Sequence, residues 1–203
     1  SEVGVYKASK GFQLSGAAPD GMDSTSVNDT TKFKFSSSGW NPQTGTTYIN
    51  GQNTWSNQAG ASFTYEFDGT KVYLMGTKDP NHGQADVYID DMDTPVATID
   101  THDTVRSTGA KIFESADLKN GHHTLKLVAK TTAAIGVEAA YVINNGGKGM
   151  LEIENETYTM NEDSDLAVKI KRVGGTTGEI TAKLEPNPGS AIQKHFNTEL
   201  IST

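Results

Sequence analysis

Both tryptophans of the chain, Trp40 and Trp55, fall in one stretch from Gly39 to Ala61 that also holds Tyr48. Later turns bring Asp79, Asn81 and His82, then His102, Asp103 and Arg106. An aromatic face packs against the C–H-rich face of a sugar ring, while carboxylates, amides and imidazoles bond its hydroxyls. A few convergent polar groups on an apolar platform is the usual small-ligand design. These residues form the candidate carbohydrate-binding set, and each has a plainer reading beside it. Trp40 suits a platform or a plug at the end of the core. Trp55, among Asn53, Thr54, Ser56 and Asn57, has no apolar stripe to join and is the better platform. His82 also suits a turn, His102 and Arg106 a solvated loop, and Asp79 an Asx-turn.

Other chemistries find little support. Glycosidases need two carboxylates about 5 to 9.5 Å apart, but most acids here sit in turns such as Asp90-Asp91-Met92-Asp93. His122 and His123 are adjacent on a strand and point to opposite faces, so they make no zinc pair. Asp91/Asp93 and Asp163/Asp165 echo the start of a calcium loop, yet Pro95 and Ala167 stand where the next ligand belongs. Gly174 to Gly178 lacks the lysine of a phosphate loop, and no Gly-x-Ser-x-Gly elbow is present. The chain has no cysteine, hence no thiolate chemistry. No catalytic residue, metal ligand or cofactor is expected; a structural calcium is left open, with no motif that indicates it.

Among 203 residues the formal net charge is −8. Without a basic stripe to replace counterions on phosphate, nucleic acid is disfavoured as a partner, as are anionic membranes. No apolar run approaches the roughly 18 residues that span a bilayer. Ser1-Glu2-Val3-Gly4 is no signal peptide, so the sequence reads as an excised piece whose targeting segments lie elsewhere.

The elements that must position these residues are strands. Phe63, Tyr65 and Phe67 alternate with polar residues up to the Asp68-Gly69 turn, and Val72 to Met75 returns. Ala85, Val87 and Ile89 follow, then Val96 to Ile99, Ile112-Phe113, His123 to Leu127, and Val137, Ala139, Tyr141 and Ile143. Short period-2 strands at regular spacing predict an all-β antiparallel sandwich. With Lys32 to Ser37 as the first strand, parity puts the connections 39–61, 79–83, 102–109 and 131–136 at one end. The first is expected to be a long functional loop. Residues 1–30 read as a tail or linker, or as a short hairpin of Val3, Val5 and Tyr6 with Phe12 and Leu14. Past Asn144 to Gly149 a second alternating series starts: Leu151, Ile153, Tyr158, Met160, Leu166, Val168, Ile170, Ile180, Ala182 and Leu184. It is expected to be a truncated unit.

Ser38-Gly39-Trp40, the run Gly60 to Val72, His82 to Asp90, and Leu118 to Leu127 together resemble the galactose-binding-like jelly rolls found beside bacterial glycoside hydrolases. The resemblance covers residues 31–145. It implies a non-catalytic module that targets a larger extracellular or cell-surface protein to its glycan, with the other domains of that polypeptide as further partners. Tyr158 to Asp163 and Val168 to Ile180 look like the first half of a Calx-β, immunoglobulin-like repeat over 150–203. Ser190-Ala191 and His195-Phe196 stand near where that family continues toward an Asp-Tyr pair. The pair is missing here, so calcium binding is not carried over. The alternative function is a structural spacer or adhesin segment without a small ligand.

Overall fold

Alternation of apolar and polar residues builds several of the strands, such as Ser62–Gly69 and Gly121–Ala129, and the breaks in alternation mark where the fold does something else. The computed structural model describes residues 3–7, 16–36, 38–154, 157–161, 165, 167–183 and 200–202. The chain divides into a unit of Leu14–Gly147 and one of Ser1–Gln13 with Lys148–Thr203. The second includes β1 (Val3–Lys7).

In the larger unit the strands are β2 (Asp23–Ser26), β3 (Phe33–Phe35), β4 (Asn41–Thr44), β5 (Gln52–Ser56), β6 (Ser62–Gly69) and β7 (Lys71–Lys78). After them come β8 (Gln84–Ile89), β9 (Ala97–Asp100), β10 (Ser107–Glu114), β11 (Gly121–Ala129) and β12 (Ile135–Ile143). One sheet has the order β3-β6-β11-β8-β9, the other β10-β7-β12-β5-β4 with β2 also on β12. Their facing sides share one core: Phe63, Tyr65, Phe67, Val87, Leu125 and Leu127 from the first sheet meet Val72, Leu74, Ile135 and Val137 from the second. All named strand pairs are antiparallel, so the all-β antiparallel sandwich expected from the alternation is the fold.

Three local departures shape the second sheet. The stretch 39–61, expected as a long loop, holds the β4–β5 hairpin, with Gln43 opposite Asn53 and Asn41 opposite Trp55. Asp23–Ser26, inside the expected tail, pairs with β12 from Ala139 to Val142. The expected alternation of Val137, Ala139, Tyr141 and Ile143 changes phase. Against β7, Val137 faces Gly76 and Ala139 faces Met75, leaving Glu138 as the extra residue of a β-bulge. Beyond it Ala140 and Val142 join the core, while Tyr141 turns outward and donates from its hydroxyl to Gly16 O at 2.5 Å. Both faces of β12 are thus covered, and all of its residues are buried.

In the smaller unit β1 pairs with β14 (Thr157–Asn161) from Val3 opposite Asn161 to Lys7 opposite Thr157. β13 (Met150–Ile153) pairs with β15 (Ile170–Val173), and β16 (Thr181–Lys183) with β17 (Leu200–Ser202). Phe12, Leu14, Leu166, Leu184, Ser190-Ala191 and His195-Phe196 lie outside the described residues.

Candidate functional site on the second sheet

The pleat gives the β4–β5 hairpin two distinct faces. Gln43, Asn53 and Trp55 project to one face; Pro42, Gln52 and Thr54 project to the other. On the first face a pocket of about 280 Å³ is lined by Gln43, Asn53, Trp55, Thr77, Asp79, Asn81, His82, Arg106 and Ala134. The β4 and β5 residues form one wall. The 79–83 turn and the Arg106 end of the β9–β10 connection supply the others.

Five of the expected residues, Trp55, Asp79, Asn81, His82 and Arg106, therefore meet in one lining. Tyr48 joins them from behind: it is buried, donates to Gln43 Oε1 at 3.1 Å and accepts from the Arg106 guanidinium at 3.1 Å. Asp79 accepts from Asn81 N at 2.8 Å through Oδ1 and from Arg106 at 3.0 Å through Oδ2. The Asn81 amide and then the Arg106 guanidinium hold its carboxyl below the ordinary aspartate value. Asp79 in turn is the main influence raising Arg106. The half-buried His82 ring sits 2.9 Å from Thr77 O. Burial pulls its pKa down and outweighs the support of that carbonyl and of Asp79.

The rest of the candidate set lies elsewhere. Trp40 is on the opposite face of the hairpin, its ring 4.9 Å from Phe35 and 5.6 Å from Phe63. The indole N–H donates to Ser62 O at 2.9 Å, and the partly exposed ring lines a separate pocket of about 300 Å³ with Phe35, Pro42 and Thr54. His102 and Asp103 are exposed and outside the lining. They act through backbone: Asp103 N donates to Asp79 O at 3.3 Å, and His102 bridges Asp79. These links secure the turn that carries the carboxylate.

Sequence reasoning missed Gln43, Asn53, Thr77 and Glu138. The carboxylate of Glu138, fully buried, accepts from Ile49 N at 2.9 Å, Thr77 Oγ1 at 3.0 Å and Gly109 N at 3.0 Å. It ties together the segment behind Tyr48, the strand before Asp79 and the start of β10. A lone acid inside the apolar run Ile135–Ile143 was its signal in the sequence.

No family model matches the chain. Over 130 residues it is 29% identical to an A type blood alpha-D-galactosamine galactosaminidase of Flavonifractor plautii, covering 62% of this chain and 12% of that protein. The chain is thus a small fraction of that relative's length. Among solved structures, a family 6 carbohydrate-binding module from Clostridium cellulolyticum in complex with xylose is similar over 61% of this chain and 97% of its own, with 15% identity and a TM-score of 0.38. A family two carbohydrate esterase from Cellvibrio japonicus is similar over 61% of this chain and 34% of its own, with 13% identity and a TM-score of 0.41. The catalytic domain of a GH87 alpha-1,3-glucanase covers 65% of this chain and 29% of its own, with 10% identity and a TM-score of 0.42.

Proposed function

We propose that the Leu14–Gly147 sandwich is a non-catalytic carbohydrate-binding module that holds a larger exported protein at its glycan. The observation that carries the reading is the joint lining of one pocket by Trp55, Asn53, Asn81, His82 and the Asp79–Arg106 pair. An indole edge or face beside amide, imidazole and carboxylate groups suits a ring with one apolar side and several hydroxyls. A likeness confined to 12% of a galactosaminidase suits a module carried by a sugar-processing protein. The non-catalytic part of the reading rests on the acids: Asp79 is the one carboxylate in the lining, and Arg106 already engages it. A shallow site of this size implies weak binding in the millimolar to micromolar range, strengthened by multivalency.

The test is titration of the chain with methyl glycosides of galactose, N-acetylgalactosamine, glucose and xylose, followed by tryptophan fluorescence and calorimetry. At least one glycoside binds saturably and shifts the Trp55 emission. Trp55→Ala lowers its affinity at least tenfold and leaves the melting temperature within a few degrees. Absence of binding across the panel and across longer glycans would remove the sugar-binding reading and leave a spacer or adhesin segment.

A further inference from the structure

The other face of the β4–β5 hairpin carries a second pocket of different chemistry. Thr54 stands opposite Val137, a core residue, and Pro42 is its partner on the other side. This face of the hairpin therefore looks toward the first sheet. β4 ends the second sheet and β3 ends the first. Between these two margins lies a pocket of about 300 Å³. That is the lower end of ligand-pocket volumes, about 300–1,000 Å³, and suits a single ring.

Its platform is set before any ligand arrives. The Trp40 indole N–H donates to Ser62 O at 2.9 Å and to Ser36 Oγ at 3.2 Å. Phe63 stands T-shaped to the ring, and Phe35 lies tilted against it. With its one donor engaged, the half-buried Trp40 offers carbon surface to the pocket beside Phe35 and Pro42.

Hydroxyls and amides surround that surface. Ser36 Oγ accepts from Trp40 Nε1 and from Ser62 N at 3.1 Å, which occupies both lone pairs and leaves its proton to donate. Asn28, Thr30, Ser38 and Gln52 also line the pocket, and their side chains bond to no other described residue. No lining residue is charged, in contrast to the Asp79–Arg106 pair across the hairpin. An ion would lose water here and gain no counter-charge, and a wholly apolar guest would strip the hydroxyls and amides without replacing their bonds. A neutral ring with one C–H-rich face and hydroxyls around its edge satisfies both parts.

We propose that this pocket is a second carbohydrate site, in which a neutral sugar ring packs on Trp40, Phe35 and Pro42. Its hydroxyls bond Ser36 and the neighbouring amides. The module then takes two sugars, one on each face of a single hairpin. This site goes beyond the Trp55 pocket and does not depend on it.

The experiment uses the full chain with Trp55→Ala, in which Trp40 is the remaining tryptophan. Its emission reports on this pocket alone. The probes are the methyl glycosides of galactose, N-acetylgalactosamine, glucose and xylose, with cyclohexanol as a ring that lacks the further hydroxyls. At least one glycoside shifts the Trp40 emission saturably and shields it from acrylamide quenching. It binds about tenfold or more tighter than cyclohexanol. Pro42→Asp, at an exposed position on an end strand, sets a charge in the carbon wall. With its melting temperature checked, it weakens this binding about tenfold or more. Emission and quenching indifferent to every glycoside, or cyclohexanol binding as tightly, overturn the second site. So does full affinity in a folded Pro42→Asp protein. Sugar binding that Trp55→Ala abolishes outright removes this inference and leaves the proposed function standing. Sugar binding that Trp55→Ala spares and Pro42→Asp abolishes does the reverse: this site stands, and the role given to Trp55 falls.

Discussion

Trp40 and Trp55 have the same side chain at the β4–β5 hairpin, yet pleat direction sends them to opposite faces. Residue 55 has odd parity with Asn53 and looks into the pocket, while Trp40, just before β4, packs on Phe35 and Phe63. Trp40→Ala removes aromatic contacts and the N–H bond to Ser62 O. Truncating a tryptophan in a core costs about 3–5 kcal/mol; for a partly exposed ring we expect less than that, about 2–3 kcal/mol. Denaturant melts check this, and ligand affinity at the Trp55 pocket stays within twofold in the folded variant. Sequence reading favoured Trp55 as the platform because no apolar stripe surrounded it, and the structure places it in a pocket lining. It left Trp40 open because a plug and a platform are both aromatic, and only three-dimensional neighbours separate them.

At the level of elements, the strands of the β3-β6-β11-β8-β9 sheet were legible because one face of each is wet. Phe63, Tyr65 and Phe67 alternate cleanly with half-buried or exposed residues. The β4–β5 hairpin was not legible. Asn41-Pro42-Gln43-Thr44 is exposed along its length, so it has no apolar rhythm, and Pro42 argues against a strand except at an edge, which is where β4 lies. The bulge at Glu138 was hidden for the opposite reason. With both faces of β12 covered, a phase change leaves no trace in hydrophobicity. The element-scale prediction concerns this bulge. Glu138→Leu strands two backbone N–H groups and the Thr77 hydroxyl in the interior, at about 1–3 kcal/mol for each group left unsatisfied. Unfolding free energy falls by roughly 3 kcal/mol or more, and binding weakens in whatever folded protein remains, because Thr77 also holds His82. An unchanged denaturant midpoint would show that the carboxylate is not the tie described.

For the molecule as a whole, the end of the sandwich away from the pocket carries its own pH response. His123 Nδ1 lies 2.7 Å from Asp90 Oδ2, and Nε2 lies 2.6 Å from Lys119 O. A carboxylate and a carbonyl both accept, so the two contacts favour the doubly protonated imidazolium. Burial alone would lower the His123 pKa, but the Asp90 carboxylate and the Lys119 carbonyl outweigh it, and the net direction is up. Protonation therefore favours the fold. The stabilisation is fully present below about pH 6.5, the unfolded imidazole's value, and is lost as pH rises through the higher folded-state value. Burial likewise opposes ionisation of Asp90, yet the bonds from His123 and Thr124 N bring its pKa down. Its share is present above the unfolded carboxylate's range and lost as pH falls through the lower folded value. Between pH 6 and pH 9 the melting temperature drops by a few degrees, about what one charged hydrogen bond is worth in a domain this size. His123→Gln flattens that slope; a wild-type melting temperature independent of pH over this interval would contradict the assignment.

The β2 pairing bears on where this polypeptide can be cut. Ser26 to Asp23 cover β12 from Ala139 to Val142, directly beyond the part of the same strand that β5 covers from Ile135 to Val137. A shortened version starting at Lys32, where the regular alternation begins, would bare the row of amides and carbonyls on Ala139 to Val142 and orphan the Tyr141 hydroxyl. Such a naked margin is an invitation to self-association in solution. The leading residues are in this sense a built-in chaperone for the middle strand, and dissection of the module has to begin upstream of Gly16.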